Sequence, residues 1–125
     1  MPRIVDVLVV EDDEILRTSL TEILRGAGYS VSEARDGLGA LESLRSMAVR
    51  VMVLDIAMPR LDGLKVLDEL GECPPVVVMT AREYDTEIMS RRSKVALYLQ
   101  KPVPPENLLE AVAQALVPVG GEAGR

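Results

Sequence analysis

The chain has 125 residues, of which 48% are hydrophobic, and this size and composition indicate one folded domain rather than a disordered segment. Acidic residues outnumber basic residues by 20 to 14, which gives a formal net charge of −6. An acidic domain without a basic stripe binds nucleic acid poorly, so we expect no direct nucleic-acid binding by this chain.

The chain contains no histidine, which excludes a histidine general base, a histidine metal ligand and a phosphohistidine within it. Cys73 is the only cysteine, so no internal disulfide can form, as is usual in a reducing cytoplasm. The first residues are no signal peptide because Asp6 interrupts their apolar run, and no segment is long enough to span a membrane. We therefore expect a cytoplasmic protein that makes no membrane contact.

Short apolar runs and helical periodicities alternate along the chain. The apolar runs predict strands at residues 7–10, 29–34, 51–54, 76–79 and 95–99. Apolar residues at helical spacing predict helices at residues 16–27, 40–44, 64–70, 83–92 and 108–116. This alternation predicts an α/β fold with a parallel sheet covered by helices on both faces.

Polar side chains follow four of the predicted strands at the point where each strand ends. Glu11 and Asp12 follow the first strand, Asp55 the third, Thr80 the fourth and Lys101 the fifth. Parallel strands place their carboxyl ends along one edge of the sheet, where ligands bind in open α/β folds. These five residues should therefore converge.

Three carboxylates in such a cluster repel one another. Two unit charges about 4 Å apart cost on the order of 4 kcal/mol at an effective dielectric constant near 20, so the cluster must take up protons or a cation. Oxygen ligands suit a hard ion. Mg²⁺ is the natural choice because it needs few protein carboxylates and also coordinates phosphate oxygens. A hydroxyl from Thr80 and an ammonium from Lys101 would complete a site for phosphoryl transfer to Asp55.

The chain resembles the receiver domain of two-component response regulators over residues 4–116. The matching pieces are Leu8-Val9-Val10-Glu11-Asp12, Leu54-Asp55-Ile56-Ala57-Met58-Pro59 with Asp62-Gly63, Met79-Thr80-Ala81, and Tyr98-Leu99-Gln100-Lys101-Pro102. The resemblance implies a flavodoxin-like (βα)5 fold with strand order 2-1-3-4-5. It implies a receiver domain over residues 4–117, with residues 118–125 as a flexible tail or the start of a linker.

The resemblance also assigns roles to individual residues. It implies Asp55 as the phosphoacceptor, with Mg²⁺ held by Asp12, Asp55 and the Ala57 backbone carbonyl and with Glu11 acting through water. It implies Thr80 and Tyr98 as a switch pair that changes the surface of helix 4, strand 5 and helix 5, while Lys101 binds the phosphoryl group.

The partners follow from the same resemblance. It implies a sensor histidine kinase or a phosphotransfer protein as the phosphoryl donor, and a chain without histidine must indeed obtain its phosphate from outside. A downstream effector domain or a homodimer is possible as the output. The protein would be a switch rather than an enzyme.

Three features depart from the usual receiver pattern, and one of them is a generally poor match over the region Tyr84 to Ala96. The segment between Asp55 and Thr80 is a few residues shorter than is common, which predicts a trimmed third helix or a trimmed loop after it. Lys94 stands where receivers usually have glycine before the fifth strand. These departures concern the output face and the mode of dimerisation rather than the phosphorylation site.

Two other functions remain open from the residues. A small phosphohydrolase with an aspartyl nucleophile would use the same residue types, but it needs an acid two residues after the nucleophile, where this chain has Ala57. A receiver-like interaction module that is not phosphorylated would usually lack the acid pair or the lysine. We interpret Asp13 and Glu14 as helix first-turn acids, and Cys73 as an exposed loop thiol without a role.

Overall fold

The computed structural model describes residues 3–56, 63–69, 73–81, 86–90 and 93–116. The strands are β1 (Arg3–Val10), β2 (Val31–Ala34), β3 (Met47–Leu54), β4 (Val76–Thr80) and β5 (Val95–Gln100). The helices are α1 (Glu14–Gly26), α2 (Gly37–Ser46), α3 (Gly63–Glu69), α4 (Thr86–Met89) and α5 (Pro105–Leu116). The strands pair in parallel in the order β2-β1-β3-β4-β5, which confirms the predicted fold class and strand order.

Alternate residues of the central strands build two apolar layers, one on each face of the sheet. Leu8 and Val10 of β1 pack in one layer with the apolar faces of α2 and α3. Val7 and Val9 pack in the other layer with α1 and α5. Successive strand side chains point to opposite faces, so a strand buried on both sides reads as a continuous apolar run.

The structure extends two of the predicted strands toward their amino ends. β1 begins at Arg3 rather than at residue 7, and β3 begins at Met47 rather than at residue 51. The added residues pair with each other, with Arg3 opposite Met47 and Ile4 opposite Ala48. They were missed because several of these residues are exposed, so apolar runs mark only the buried part of each strand.

The ends of α1 follow ordinary capping chemistry. Asp13 caps the helix, because its Oδ1 accepts hydrogen bonds from the amides of Ile15 at 2.9 Å and Leu16 at 3.1 Å. Glu14 lies in the first turn, as predicted, but Asp13, which we expected there too, precedes the helix as its N-cap residue. Gly28 has a φ of +99°, a left-handed conformation that suits glycine, and it turns the chain toward β2.

Several predicted boundaries lie outside the described residues. The helix predicted at residues 83–92 is described only as α4, Thr86–Met89. The loop at 57–62, which includes Ala57, and the tail at 117–125 are also outside the described ranges. Within the ranges that are described, no helix is both long and apolar enough to cross a membrane.

Candidate functional site

The carboxyl edge of the sheet collects the polar residues that follow its strands. Asp55 comes directly after β3, and its amide donates a hydrogen bond of 3.2 Å to the Val10 carbonyl at the end of β1. Lys101 comes directly after β5, and its amide donates a hydrogen bond of 2.8 Å to the carbonyl of Thr80. The parallel ladder thus continues for one residue beyond the strands and brings the side chains to one edge.

Three carboxylates lie together at this edge, as we expected. Glu11, Asp12 and Asp55 each offer an oxygen within 4.8 Å of the others. Glu11 is only 2% exposed and Asp55 only 5%, whereas Asp12 is exposed. The cluster therefore has two buried acids and one acid open to solvent.

Lys101 contacts both buried carboxylates. Its Nζ atom lies 2.8 Å from Asp55 Oδ2 and 3.4 Å from Glu11 Oε1. Burial alone would lower the pKa of this lysine, but the hydrogen bond to Asp55 and the charges of Asp55 and Glu11 raise it above its ordinary value. Lys101 therefore stays charged and neutralises part of the acidic cluster.

Glu11 is the acid whose protonation the site changes most. Its pKa is raised from 4.5 to about 7, chiefly by burial and also by the negative charge of Asp55 and a hydrogen bond with the Asp12 side chain. The Asp13 amide, which donates to Glu11 Oε2 at 3.2 Å, and the charge of Lys101 oppose this shift. Near neutral pH and without a metal ion, Glu11 is thus partly protonated.

The donor set fits a hard divalent cation. All the candidate side-chain ligands are carboxylate oxygens, and the exposed Asp12 leaves a path from solvent. A cation at this point would take the place of the proton on Glu11 and remove the repulsion between the acids. The Ala57 carbonyl, which we also expect as a ligand, lies outside the described residues.

The two residues of the expected switch pair lie on neighbouring strands. Thr80 is the last residue of β4 and is fully buried, with 0% exposure. Tyr98 is opposite Val78 in the β4–β5 pairing and is half-buried against the apolar layer beneath α2 and α3. These positions put a hydroxyl at the carboxyl edge and an aromatic ring farther back along the sheet.

A cavity of about 510 Å³ opens beside Lys101. It lies between α1 and the segment after β5, and its apolar lining includes Leu16, Leu20 and Val103. The sequence pattern did not predict this space, because its lining comes from elements that are distant in the chain.

Sequence reasoning also missed Arg17. Its side chain, on α1, is 15% exposed and donates a hydrogen bond of 2.8 Å from Nη1 to the Glu11 carbonyl. Helical side chains lean toward the amino end of their helix, so an arginine one turn into α1 reaches back over the end of β1. This lean of helical side chains is the rule from which the contact between Arg17 and Glu11 could have been predicted.

The fold and the site together define the class of protein. A family model for the response regulator receiver domain matches residues 7–113. The chain belongs to this family.

Named relatives agree with the family model. The chain is 43% identical over 109 residues to the response regulator MprA of Mycobacterium tuberculosis strain H37Rv, a match that covers 84% of this chain and 47% of the relative. It is 43% identical over 107 residues to MprA of Mycobacterium avium, with 82% and 47% covered. The chain thus spans about half the length of the curated relatives it matches.

Solved structures share the fold. A CheY-like receiver domain from Methanospirillum hungatei superposes with a TM-score of 0.81 at 24% identity, covering 93% of this chain and 94% of that one. NtrX from Brucella abortus superposes with a TM-score of 0.78 at 30% identity, covering 90% of this chain and 27% of that one. In NtrX the matching region is therefore a minor part of a longer chain.

Proposed function

We propose that this receiver domain is a phosphorylation-controlled switch in which Asp55 accepts a phosphoryl group from a phosphohistidine. The donor is a sensor histidine kinase or a phosphotransfer protein. The observation that carries the proposal is the contact of Lys101 with both Asp55 and Glu11, because it places a cation beside a buried nucleophilic carboxylate. A cytoplasmic location accords with this role.

The transfer step needs little covalent chemistry from the protein. A carboxylate oxygen of Asp55 attacks the phosphorus in line, the new P–O bond forms, and the P–N bond of the donor breaks. The electron pair of that bond returns to the donor nitrogen, and the imidazole leaves as a neutral ring because its other nitrogen carries a proton. The product is an acyl phosphate on Asp55, and Lys101 balances charge on the phosphoryl oxygens.

Mg²⁺ would be held by Asp12, Asp55 and the Ala57 carbonyl, and by Glu11 through a water molecule. When bound, the ion supplies charge that screens the acids from the incoming phosphoryl group. Glu11 must give up its proton to take part, since its pKa of about 7 leaves it partly protonated at neutral pH.

The output of the switch depends on Thr80 and Tyr98. We propose that the Thr80 hydroxyl donates a hydrogen bond to a phosphoryl oxygen after transfer and that Tyr98 then turns inward. The surface formed by α4, β5 and α5 would change its affinity for a partner. We propose an effector domain or a second copy of the chain as that partner, in keeping with the greater length of the curated relatives, of which the match covers 47%.

The test is incorporation of acid-labile phosphate from radiolabelled phosphohistidine donor protein or acetyl phosphate in the presence of Mg²⁺. We expect labelling of the wild-type chain and of Asp68→Asn, which alters an exposed acid in α3, and no labelling of Asp55→Asn. Label that persists in Asp55→Asn would contradict the assignment. Repeated turnover of simple phosphomonoesters would instead favour the phosphohydrolase.

A further inference from the structure

Glu11 is held by its backbone as well as by its side chain. Its amide donates a hydrogen bond of 3.0 Å to the Ala34 carbonyl at the end of β2, and its carbonyl accepts the 2.8 Å bond from Arg17 Nη1. Both polar backbone groups of this buried residue are thus paired with fixed elements. The Ala34 bond belongs to the sheet ladder, whereas the carbonyl bond depends on one side chain.

Arg17 reaches two different acceptors with two different nitrogens. While Nη1 bonds the Glu11 carbonyl, Nε lies 3.1 Å from Oε1 of Glu33 on β2. The Arg17 amide also donates to the Asp13 carbonyl at 2.8 Å, which places the residue firmly in the first turns of α1. A planar guanidinium makes both side-chain bonds at once because its donors diverge in a fixed fork, which the single nitrogen of lysine does not offer.

The peptide between Glu11 and Asp12 is planar, so fixing the Glu11 carbonyl also fixes the point from which Asp12 leaves the backbone. We infer that Arg17 is a positioning residue for the acid pair, which holds this peptide so that the carboxylates of Glu11 and Asp12 face one divalent cation. The inference rests on the proposed function and deepens it. Arg17 is a positioning residue rather than a ligand, because in this arrangement it contacts neither the cation nor the phosphoryl group.

Positioning and plain electrostatics predict opposite changes in affinity. Arg17 is a cation near the acids, so a purely electrostatic role means that Arg17→Met binds Mg²⁺ more tightly. Positioning means that Arg17→Met binds it more weakly. Arg17→Lys keeps the charge and loses the fork, so it isolates the geometric contribution.

Glu33→Gln gives a second contrast. The side-chain amide of glutamine keeps an oxygen that accepts from Arg17 Nε but carries no negative charge. A positioning role therefore predicts a Mg²⁺ affinity near that of the wild type. Electrostatics alone predicts weaker binding.

The chain offers a matched control in the same helix. Arg25 also reaches from α1 to a backbone carbonyl, donating from Nη2 to Val31 at 3.1 Å, but it does so at the other end of the helix. Arg25→Lys and Arg25→Met therefore make the same chemical changes far from the acids. They measure any general effect of loosening α1.

The experiment is a Mg²⁺ titration of isotope-labelled, metal-free protein followed by amide chemical shifts, with urea unfolding in EDTA as a parallel measure of stability. We expect Arg17→Lys and Arg17→Met to weaken Mg²⁺ binding about 10-fold, in the range known for residues that orient metal ligands. We expect the Arg25 variants to match the wild type. At saturating Mg²⁺, acetyl phosphate should label the Arg17 variants at close to the wild-type maximal rate.

Unchanged affinity in Arg17→Lys, or tighter binding in Arg17→Met, would overturn the inference, as would equal weakening in the Arg25 variants. If Arg17→Met does not fold, Arg17→Lys and Glu33→Gln decide the question. A wild-type chain that binds no Mg²⁺ contradicts the proposed function itself. Wild-type binding with unaffected Arg17 variants contradicts only the role of Arg17.

Discussion

Lys101 bridges Asp55 and Glu11, with its ammonium 2.8 Å from an oxygen of the first and 3.4 Å from an oxygen of the second. Buried charges are tolerated only when they are paired, and one ammonium cannot balance three acids. A proton on Glu11, whose pKa is raised to about 7, offsets part of the remaining negative charge in the free protein. In the proposed function, a divalent cation takes the place of this proton and compensates the charge of the acids.

Lys101→Met should impair phosphorylation and stability together. It leaves two buried carboxylates without their cation, so we expect unfolding in EDTA to become easier by about 1–3 kcal/mol. Mg²⁺ should restore part of this loss, because it supplies positive charge to the same acids. Urea titrations with EDTA and with Mg²⁺ measure both effects, and phosphate incorporation should fall at least about 10-fold.

Lys65→Met is the matched control, because Lys65 is an exposed lysine of α3. It should leave stability and labelling unchanged. Equal behaviour of the two variants would show that Lys101 has no special role.

Glu11 should make the metal-free protein less stable as the pH rises. Its pKa is raised from 4.5 to about 7 in the fold, so the stability it contributes is complete below pH 4.5 and is lost as the pH passes through about 7. We expect a loss of about 2–3 kcal/mol in EDTA between pH 5 and pH 8, relative to Glu11→Gln. The charged groups around it are Asp12, Asp55 and Lys101.

Urea unfolding at the two pH values measures this difference. Glu42→Gln, which alters an exposed acid of α2, should follow the wild type. A wild-type curve parallel to that of Glu11→Gln would mean that Glu11 titrates normally.

Thr80→Val should separate phosphorylation from the response to it. The side chain is fully buried and the replacement has nearly the same shape, so the fold should survive the loss of the hydroxyl. Asp55 should still be labelled at a rate within a few-fold of the wild type. The amide shifts of Val95–Gln100 on addition of beryllofluoride, a phosphoryl mimic, should become smaller.

Thr80→Ser keeps the hydroxyl and should restore these shifts. A full response in Thr80→Val would contradict the role of Thr80 as a switch residue.

Lys94 has a structural partner that explains why the chain carries lysine at this position. Its Nζ donates a hydrogen bond of 2.6 Å to the Leu67 carbonyl, in the carboxyl-terminal part of α3 as described. A lysine near the carboxyl end of a helix hydrogen-bonds the last carbonyls and interacts favourably with the helix dipole. Lys94→Met should therefore reduce stability by about 0.5–1.5 kcal/mol in urea unfolding.

Cys73 gives a second measurement of the same contact. Burial raises the pKa of its thiol, and the charge of Lys94 opposes that change. Alkylation of Cys73 at fixed pH should thus be slower in Lys94→Met and unchanged in Lys65→Met. Faster alkylation would mean that the variant opens the α3 region rather than only removing a charge.

The sheet and the edge that carries the acids were predictable because both depend on local rules. Buried strands appear as apolar runs, and the ends of parallel strands share one edge, so Asp55 and Lys101 could be placed together before any coordinates were known. The strand order came from the resemblance to receivers. Spacing alone does not determine which parallel strands are neighbours.

The sequence pattern failed where a side chain acts through a distant partner. Arg17 contacts Glu11 and Glu33 across two strands, and Lys94 reaches α3 from the turn before β5. Cys73 was expected to be exposed, but it is half-buried because it packs against the apolar layer beneath α2 and α3. Each of these contacts depends on tertiary packing that periodicity does not encode.

The passage from α2 to β3 has no connecting loop, since Ser46 ends the helix and Met47 begins the strand. Met47 is already paired with Arg3, so no unpaired residue at this corner can absorb an insertion. An extra residue there would have to break the pairing at the start of the sheet or move every side chain of β3 into the apolar layer on the opposite face. Loop grafts and inserted reporter tags should therefore be avoided at this corner.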